Sequence, residues 1–495
     1  MKKSLLFLAI IFSFSMPTWA QSSLTESELK IKKIQDLAKS LEPHGLLYSL
    51  YFNPTVNLEI DGYLATQNQL GLDMKLSAIV NQIASDLSRG RVLPSQLTTK
   101  TTIKVKNYAH KVTADAYLKS DLTPEQFIQA VAPKNNMYKA AQTLVADLIS
   151  RKAENRWMTQ PASLSLAVVS SKTTNRALIE YIRNKLKDFG YENNTSHLVY
   201  DEELNAAIRS FQAENGLDAD GVAGSKTWAL LNKNLNQLIT QAILNLDRVR
   251  WLPDQISNEY IYVNLARQEF KMFRNDIEIL NFKTINGRLD RQTPMMIDIA
   301  KSVVLNPTWT VPRNLFVKDK LPILKADPGY VARTNMKLYS DITGLEVDPY
   351  TVDWNQDPTT LAYTLVQQPG PGNALGFIKF PLTNGFAIYL HDTNERNLFT
   401  EANRLRSSGC IRLEKPFEFA EALLNNPKYT AEALRQMTEF LPTPATKQSY
   451  LAPAKSVPVY LFYQTITSAN GKILASADSY EIDAEMYNLL MLNFR

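Results

Sequence analysis

The sequence predicts an α+β multidomain protein: a helical scaffold, a small three-helix bundle, and a sheet-rich domain with an inserted cap subdomain. Three observations predict it. The chain has 495 residues, too many for one core and enough for about three domains. Apolar residues recur at three- and four-residue intervals from about Leu24 to Ser170, the period of amphipathic helices. Beyond Pro253 the period falls to two, the period of strands.

Taken in order, residues 1–20 read as a secretory leader. Lys2 and Lys3 precede an apolar run from Leu5 to Met16, then Pro17 and a Thr18-Trp19-Ala20 cleavage site. The run is short of the ~20 residues that span a bilayer, which argues against the alternative of an uncleaved inner-membrane anchor. Residues 21–174 form the predicted scaffold, continued by 233–256. Between them, residues 175–232 carry two apolar helical stripes, Leu178/Ile182/Leu186/Phe189 and Leu204/Ile208/Phe211, closed by Gly190 and Gly216. A glycine-punctuated turn follows, with Ser225 as expected N-cap of a third helix bearing Trp228 and Leu231.

The sheet-rich domain is expected over 257–440. "YIYVNL", "EFKMF" and "IEILNFKTI" read as successive strands, the last two joined at Asn275-Asp276. "FIKFPLTNGFAIYLH" reads as a hairpin whose tight turn uses positive dihedrals at Asn384-Gly385. From about 315 to 376 the strand pattern lapses, yet Leu338, Tyr339, Trp354 and other apolar residues argue for a folded excursion, the cap. Pro416, Phe419, Leu423 and Leu424 mark a helix directly behind the thiol of Cys410. Residues 441–495 read as a C-terminal extension with an added hairpin.

The formal charge of +5 is small and dispersed, and it drops when Lys2 and Lys3 leave with the leader, so it gives no argument for a nucleic-acid partner, and none is expected. Cys410 is the only cysteine. In an exported protein it cannot form an internal disulfide, so it is either a buried apolar residue or a useful thiol. A nucleophilic thiol needs a neighbouring base. Of four histidines, His44 and His110 fall in the scaffold and His197 in the bundle; His391 alone ends a strand in the domain of Cys410. Ser408, Gly409 and Cys410 form a small-residue stretch whose N–H groups can approach an oxyanion. Arg412 offers either a fork for a substrate carboxylate or a structural ion pair. Asp392, next to His391, points to the opposite side of a strand. No metal or cofactor is expected.

Five runs carry resemblances to known families. "FQAENGLDADGVAGSKTWALL" resembles the signature of peptidoglycan-binding type-1 domains, which implies a module gripping wall glycan or stem peptide; Phe211, Leu217, Val222 and Trp228 also serve as its core. "IYLHDT" followed by "SSGCIR" resembles the L,D-transpeptidase signature, with Ser408 where the commoner pattern has histidine. "NPTWTVPRNL" and "PGPGNALGFIKF" resemble segments of the large Gram-negative periplasmic members.

This resemblance implies acyl transfer between peptidoglycan stems. Cys410 would attack the carbonyl joining a diamino acid to terminal D-alanine in a tetrapeptide donor, with His391 as general base and acid. D-Alanine would leave, and the side-chain amine of a second stem would resolve the thioester as a 3→3 crosslink. Tyr389 would pack beside the donor under the cap. The implied partners are donor and acceptor stems and wall glycan, with other wall synthases as further candidates, and the implied location is the periplasm. Two rivals stand beside this reading: the same nucleophile with water as acceptor, making an L,D-carboxypeptidase or hydrolase, and a non-enzymatic wall-binding protein. A general cysteine protease is disfavoured because the helix-borne cysteine signatures of those families are absent.

Overall fold

The computed structural model describes residues 25–99, 101–105, 113–439 and 448–492, so the leader and His110 lie outside the described residues. The helix Glu26–Lys39 opens on a reciprocal capping box between Thr25 and Glu28. The helix Gln69–Arg89 turns Leu72, Leu76, Ile79, Val80, Ile83 and Leu87 inward, as its spacing demands. After the bundle, the helix Leu235–Val249 returns and packs along Asn136–Ala153. Its Asp247 carboxylate accepts the N–H groups of Arg91 at 3.0 Å and Val92 at 3.1 Å, and its neighbour Trp251 donates Nε1–H to the Val92 carbonyl. The bundle is therefore spliced into the scaffold.

The bundle consists of Arg176–Asp188, Glu202–Glu214 and Ser225–Leu231. Gln212 organises the turn that follows its second helix. Buried, it donates to Asp220 Oδ1, the Val222 carbonyl and Thr227 Oγ1 and accepts the Gly221 N–H, so one side chain fixes the whole Asp-Gly turn. One expectation is corrected: Gly224 occupies the N-cap position and Ser225 is the first helical residue, with no side-chain cap.

The strands are β1 Glu259–Asn264, β2 Glu269–Arg274, β3 Ile277–Gly287, β4 Met296–Ala300, β5 Val303–Leu305, β6 Trp309–Thr310, β7 Met336–Ser340, β8 Tyr363–Gln367, β9 Ile378–Phe380, β10 Leu390–His391, β11 Leu405–Ser407, β12 Ile411–Leu413, β13 Ser449–Leu451, β14 Val457–Phe462, β15 Ile466–Ala469 and β16 Lys472–Ala475. The main sheet runs β13-β5-β9-β10-β12-β3-β2-β1-β14-β4, with β11 beside β3. Asn275 and Asp276 both take positive φ, as a tight hairpin turn requires. The β9–β10 connection differs from expectation. Positive φ falls on Ala387 and not on Asn384 or Gly385. Instead of a two-residue turn, a loop is stapled by Asn384, whose side chain accepts from the Phe386 and Ile388 N–H groups and donates to Asp298. Side-chain bonding of Asn to nearby backbone competes with the tight-turn conformation.

The cap is a separate small sheet, β6-β8-β7, with its own core of Phe316, Leu324, Leu338, Trp354, Leu365 and neighbours. It begins at Trp309 and ends at Gln367, earlier at both ends than the expected 315–376, because β6 pairs with β8 across the whole excursion. Residues 448–492 are not an appendage. β14 lies inside the sheet, parallel to β1 and antiparallel to β4, and β13 extends the edge at β5. The β15–β16 hairpin meets the bundle, where Ile473 N–H donates to the Phe189 carbonyl and Lys472 pairs with Glu214 at 2.7 Å. The helix Ile482–Leu492 packs on Leu235–Val249. Parallel pairing of strands far apart in sequence leaves no local signal.

Candidate functional site

Strand alternation builds the site. Leu390 and Ile411 are register partners, fully buried on one face of the sheet, where Phe380 packs at a tilt against Phe419 of the helix Pro416–Leu424, ring centroids 4.3 Å apart. The residues on either side of them turn to the opposite face: Tyr389 and His391 from the β10 segment, Cys410 and Arg412 from the β12 segment. His391 pairs with Arg412 on one side and with Lys379 of β9 on the other. Tyr389 and Cys410 are held together by the bond from Ile411 N–H to the Tyr389 carbonyl at 3.1 Å. The sheet thus brings His391, Tyr389, Cys410 and Arg412 onto one face. His44 bonds Tyr138 in the scaffold and His197 pairs with Asp201 in the bundle, both away from this face.

His391 is buried, and its Nδ1 lies 2.5 Å from the Asp392 carbonyl oxygen. A carbonyl can only accept, so Nδ1 carries the proton and Nε2 keeps its lone pair. The Asp392 carboxylate turns away, accepting from Phe377 N–H at 3.0 Å and Arg396 at 2.7 Å. Burial, reinforced by the charges of Arg412 and Lys379, lowers the imidazole pKa to about 3. Burial also raises the Cys410 thiol to about 11, against the lowering influence of bonds from Tyr389 and the charges of Lys379 and Arg412. The pair therefore rests as neutral thiol and neutral imidazole. The sulfur retains partial exposure and lies 3.6 Å from the Ala387 carbonyl.

The loop before the thiol is built around small residues. Gly409 has φ +118°, and a Cβ there would meet Ile388 Cδ1 at 3.2 Å. Ser407 Oγ donates to the Cys410 carbonyl and accepts the Gly409 N–H at 3.1 Å, while Thr293 Oγ1 donates to the Gly409 carbonyl at 2.8 Å. Of the three expected oxyanion donors, the Gly409 N–H is thus engaged internally. Ser408 and Cys410 N–H carry no hydrogen bond to the described residues. Ser408 Oγ accepts from Arg291 Nη1 at 3.2 Å, and Arg291 forms a two-point pair with Asp319 of the cap, at 2.5 and 2.6 Å. Arg412 is ion-paired with Glu395 and donates to Thr393 Oγ1 at 3.3 Å.

Arg291, Thr293, Asp319 and Lys379 went unread in the sequence, because their roles depend on which strands meet. Lys379 alone had a signal, a cation alternating with Ile378 and Phe380 in "FIKF". A cleft of about 960 Å³ opens elsewhere, between the Asn215–Asp220 turn of the bundle and the Arg404 and Glu414 region of the sheet; neither Cys410 nor His391 lines it.

Residues 258–438 match the family model of the L,D-transpeptidase catalytic domain, YkuD. The chain carries an L,D-transpeptidase catalytic domain. Residues 175–231 match the model described as "Putative peptidoglycan binding domain", and residues 15–144 match a scaffold domain. A curated Haemophilus influenzae protein named "Putative L,D-transpeptidase" is 35% identical over 298 residues, which are 60% of this chain and 58% of the relative. The chain thus spans less than two thirds of the relative it matches. An L,D-transpeptidase crystal structure from Stackebrandtia nassauensis aligns at 12% identity and TM-score 0.22, covering 62% of this chain and 97% of that one. An Enterococcus faecium L,D-transpeptidase mutant aligns at 11% identity and TM-score 0.19, covering 42% and 52%. In the L,D-transpeptidase domain of this chain, the "HDT" and "SSGC" runs are the two segments that the β10–β12 pairing sets side by side.

Proposed function

We propose that this chain is a peptidoglycan L,D-transpeptidase acting outside the cytoplasmic membrane, with Cys410 as nucleophile and His391 as general base and acid. The observation that carries this reading is the β10–β12 register, which puts the one cysteine and the one histidine of the domain on one sheet face with Nε2 free to accept a proton. Because both groups rest neutral, proton transfer accompanies attack: Nε2 takes the thiol proton as sulfur bonds to the carbonyl carbon joining the diamino acid to D-alanine. The N–H groups of Ser408 and Cys410 are free to meet the oxyanion, whereas recruiting Gly409 requires Ser407 to release it. Collapse expels the D-alanine amine, which receives the proton from Nε2, and leaves a thioester. The acceptor stem's side-chain amine then attacks, gives a proton to Nε2, and frees the thiol with a 3→3 crosslink formed.

Tyr389, stacked edge-on to the His391 ring at 5.5 Å, forms one wall of the donor pocket, and the cap its roof. In this reading the bundle holds wall glycan or stem peptide, and the leader directs export to the periplasm. Among the described residues no helix is long and apolar enough to cross a membrane. Arg412, engaged by Glu395, serves first as a structural ion pair. The test is incubation of the full chain with purified tetrapeptide stems. Mass spectrometry should find D-alanine release with 3→3 dimers, abolished in Cys410→Ala; D-alanine release without dimers would mark a carboxypeptidase, and crosslinking retained in Cys410→Ala would end the nucleophile assignment.

A further inference from the structure

The charges around the thiol are nearly all spoken for. Arg412 is neutralised by Glu395, Arg291 by Asp319, and Arg396 by Asp392. Lys379 is different. It is half-buried on β9, the register partner of His391, and its Nζ sits 4.0 Å from the centroid of the Tyr389 ring, close enough to Cys410 for the two charges to interact. No carboxylate and no hydrogen-bond acceptor among the described residues is bonded to it. A partly desolvated ammonium without a counter-ion is costly to keep, and the ring face of Tyr389 offsets only part of that cost. Burial accordingly lowers its pKa, though the neighbouring thiol pulls the other way. The groups facing it are Tyr389, His391, Arg412 and Cys410, none of which is a resting anion.

Resting on the transpeptidase reading, we propose that Lys379 is a carboxylate subsite: its ammonium binds a carboxylate of the donor stem and so sets the scissile carbonyl over Cys410. Two carboxylates of the donor share this chemistry, that of the terminal residue, which departs, and that on the side chain of the third residue, which stays. Lys379 would be a specificity-determining contact, distinct from the proton-transfer work of His391.

The test uses binding so that it does not depend on turnover. In the full-length Cys410→Ala chain, calorimetric titration with tetrapeptide donor gives the reference affinity. Lys379→Met in that background should weaken binding about tenfold or more, the usual worth of one charge-assisted contact. Lys379→Arg, which keeps the charge, should restore it to within about threefold. Donors amidated singly at the terminal or the third-residue carboxylate should identify the source: for one of them the Lys379→Met effect disappears. Equal affinities with and without Lys379 overturn the proposal while leaving the transpeptidase reading intact. Failure of the Cys410→Ala chain to bind any stem overturns both. In the catalytically intact chain, Lys379→Met should raise KM more than it lowers kcat. A shifted pH midpoint for thiol alkylation with unchanged KM would instead make Lys379 a thiolate stabiliser and overturn the subsite.

Discussion

The His391 imidazole is oriented by the main-chain carbonyl of Asp392, 2.5 Å from Nδ1, and not by the carboxylate of that residue, which faces Phe377 and Arg396. A carbonyl fixes the tautomer without adding a negative charge beside the ring. Asp392→Asn should therefore keep kcat within about tenfold, with its main effect a loss of stability of about 1–3 kcal/mol from weakened bonds to Phe377 N–H and Arg396. His391→Gln should lower kcat by about 10²–10⁴. Steady-state kinetics beside thermal denaturation separate these outcomes, and a collapse of kcat in Asp392→Asn would restore the carboxylate as the orienting group.

The free thiol should be a poor nucleophile at neutral pH. Its pKa, raised by burial to about 11, means that thiolate is scarce below that value and accumulates only as pH rises through it. Alkylation of the resting protein by iodoacetamide should quicken about tenfold per pH unit between 8 and 10. A carbapenem, whose strained carbonyl can be attacked with His391 taking the proton, should still acylate Cys410 at neutral pH, visible as an intact-mass adduct absent from Cys410→Ala. An alkylation midpoint near 6 to 7 would mean a resting thiolate–imidazolium pair instead.

Gly409→Ala tests the nucleophile loop. At φ +118° a side chain costs about 1–3 kcal/mol, and the added Cβ would press on Ile388. The loop should relieve the strain by shifting Ser408 and Cys410, so kcat should fall at least 10²-fold while the chain still unfolds cooperatively. Activity within twofold of the parent would remove any need for the left-handed turn.

Local patterns in the sequence carried much of this architecture. Helical stripes, the Gln212-centred bundle motif, and the strands β1, β2 and β3 were all legible, because each is specified by periodicity or turn residues within a short window. His391 and Cys410 stood out as candidates for a different reason, as the one histidine and the one cysteine of the sheet-rich domain. What stayed hidden depends on contacts between distant segments. The place of β14 between β1 and β4, the β6–β8 pairing that starts the cap at Trp309, the Arg291–Asp319 clamp and the isolation of Lys379 leave no periodic trace. The tight turn expected at Asn384-Gly385 failed for another reason: Asn-Gly is a hairpin signal only when the asparagine side chain is not needed elsewhere.

The clamp between Arg291 and Asp319 ties the cap to the loop that carries Ser408. Arg291 holds the Asp319 carboxyl below its usual range, so the contact is complete above the ordinary carboxylate pKa and is lost as pH falls through the lowered value. Asp319 is about a third exposed, so solvent screening limits the coupling to about 0.5–1 kcal/mol. Arg291→Ala and Asp319→Asn should each raise KM for donor about three- to tenfold, and the double variant should be no worse than the poorer single one. Hydrogen exchange over residues 309–340 should quicken in both. Additive losses in the double variant would show that the two residues act separately.

Removing residues 457–495 tests whether the C-terminal segment is an appendage or part of the fold. β14 buries Val457, Val459, Tyr460, Leu461 and Phe462, and its loss would open β1 and β4 as two unpaired edges in the middle of the sheet. The deletion would also strip Thr465 and Asp483 from the buried side chains of Asn245 and Arg248 in the helix Leu235–Val249, leaving polar groups without partners in the interior. The truncated chain should be insoluble or lack cooperative unfolding, although Cys410, His391 and the cap are untouched. Shortening only the exposed tip of the β15–β16 hairpin, at Asn470 and Gly471, should leave the sheet folded and weaken just the contact with the bundle. Circular dichroism melts of the two proteins distinguish them, and a soluble, cooperatively folding 1–456 fragment would mean that the sheet closes without β14.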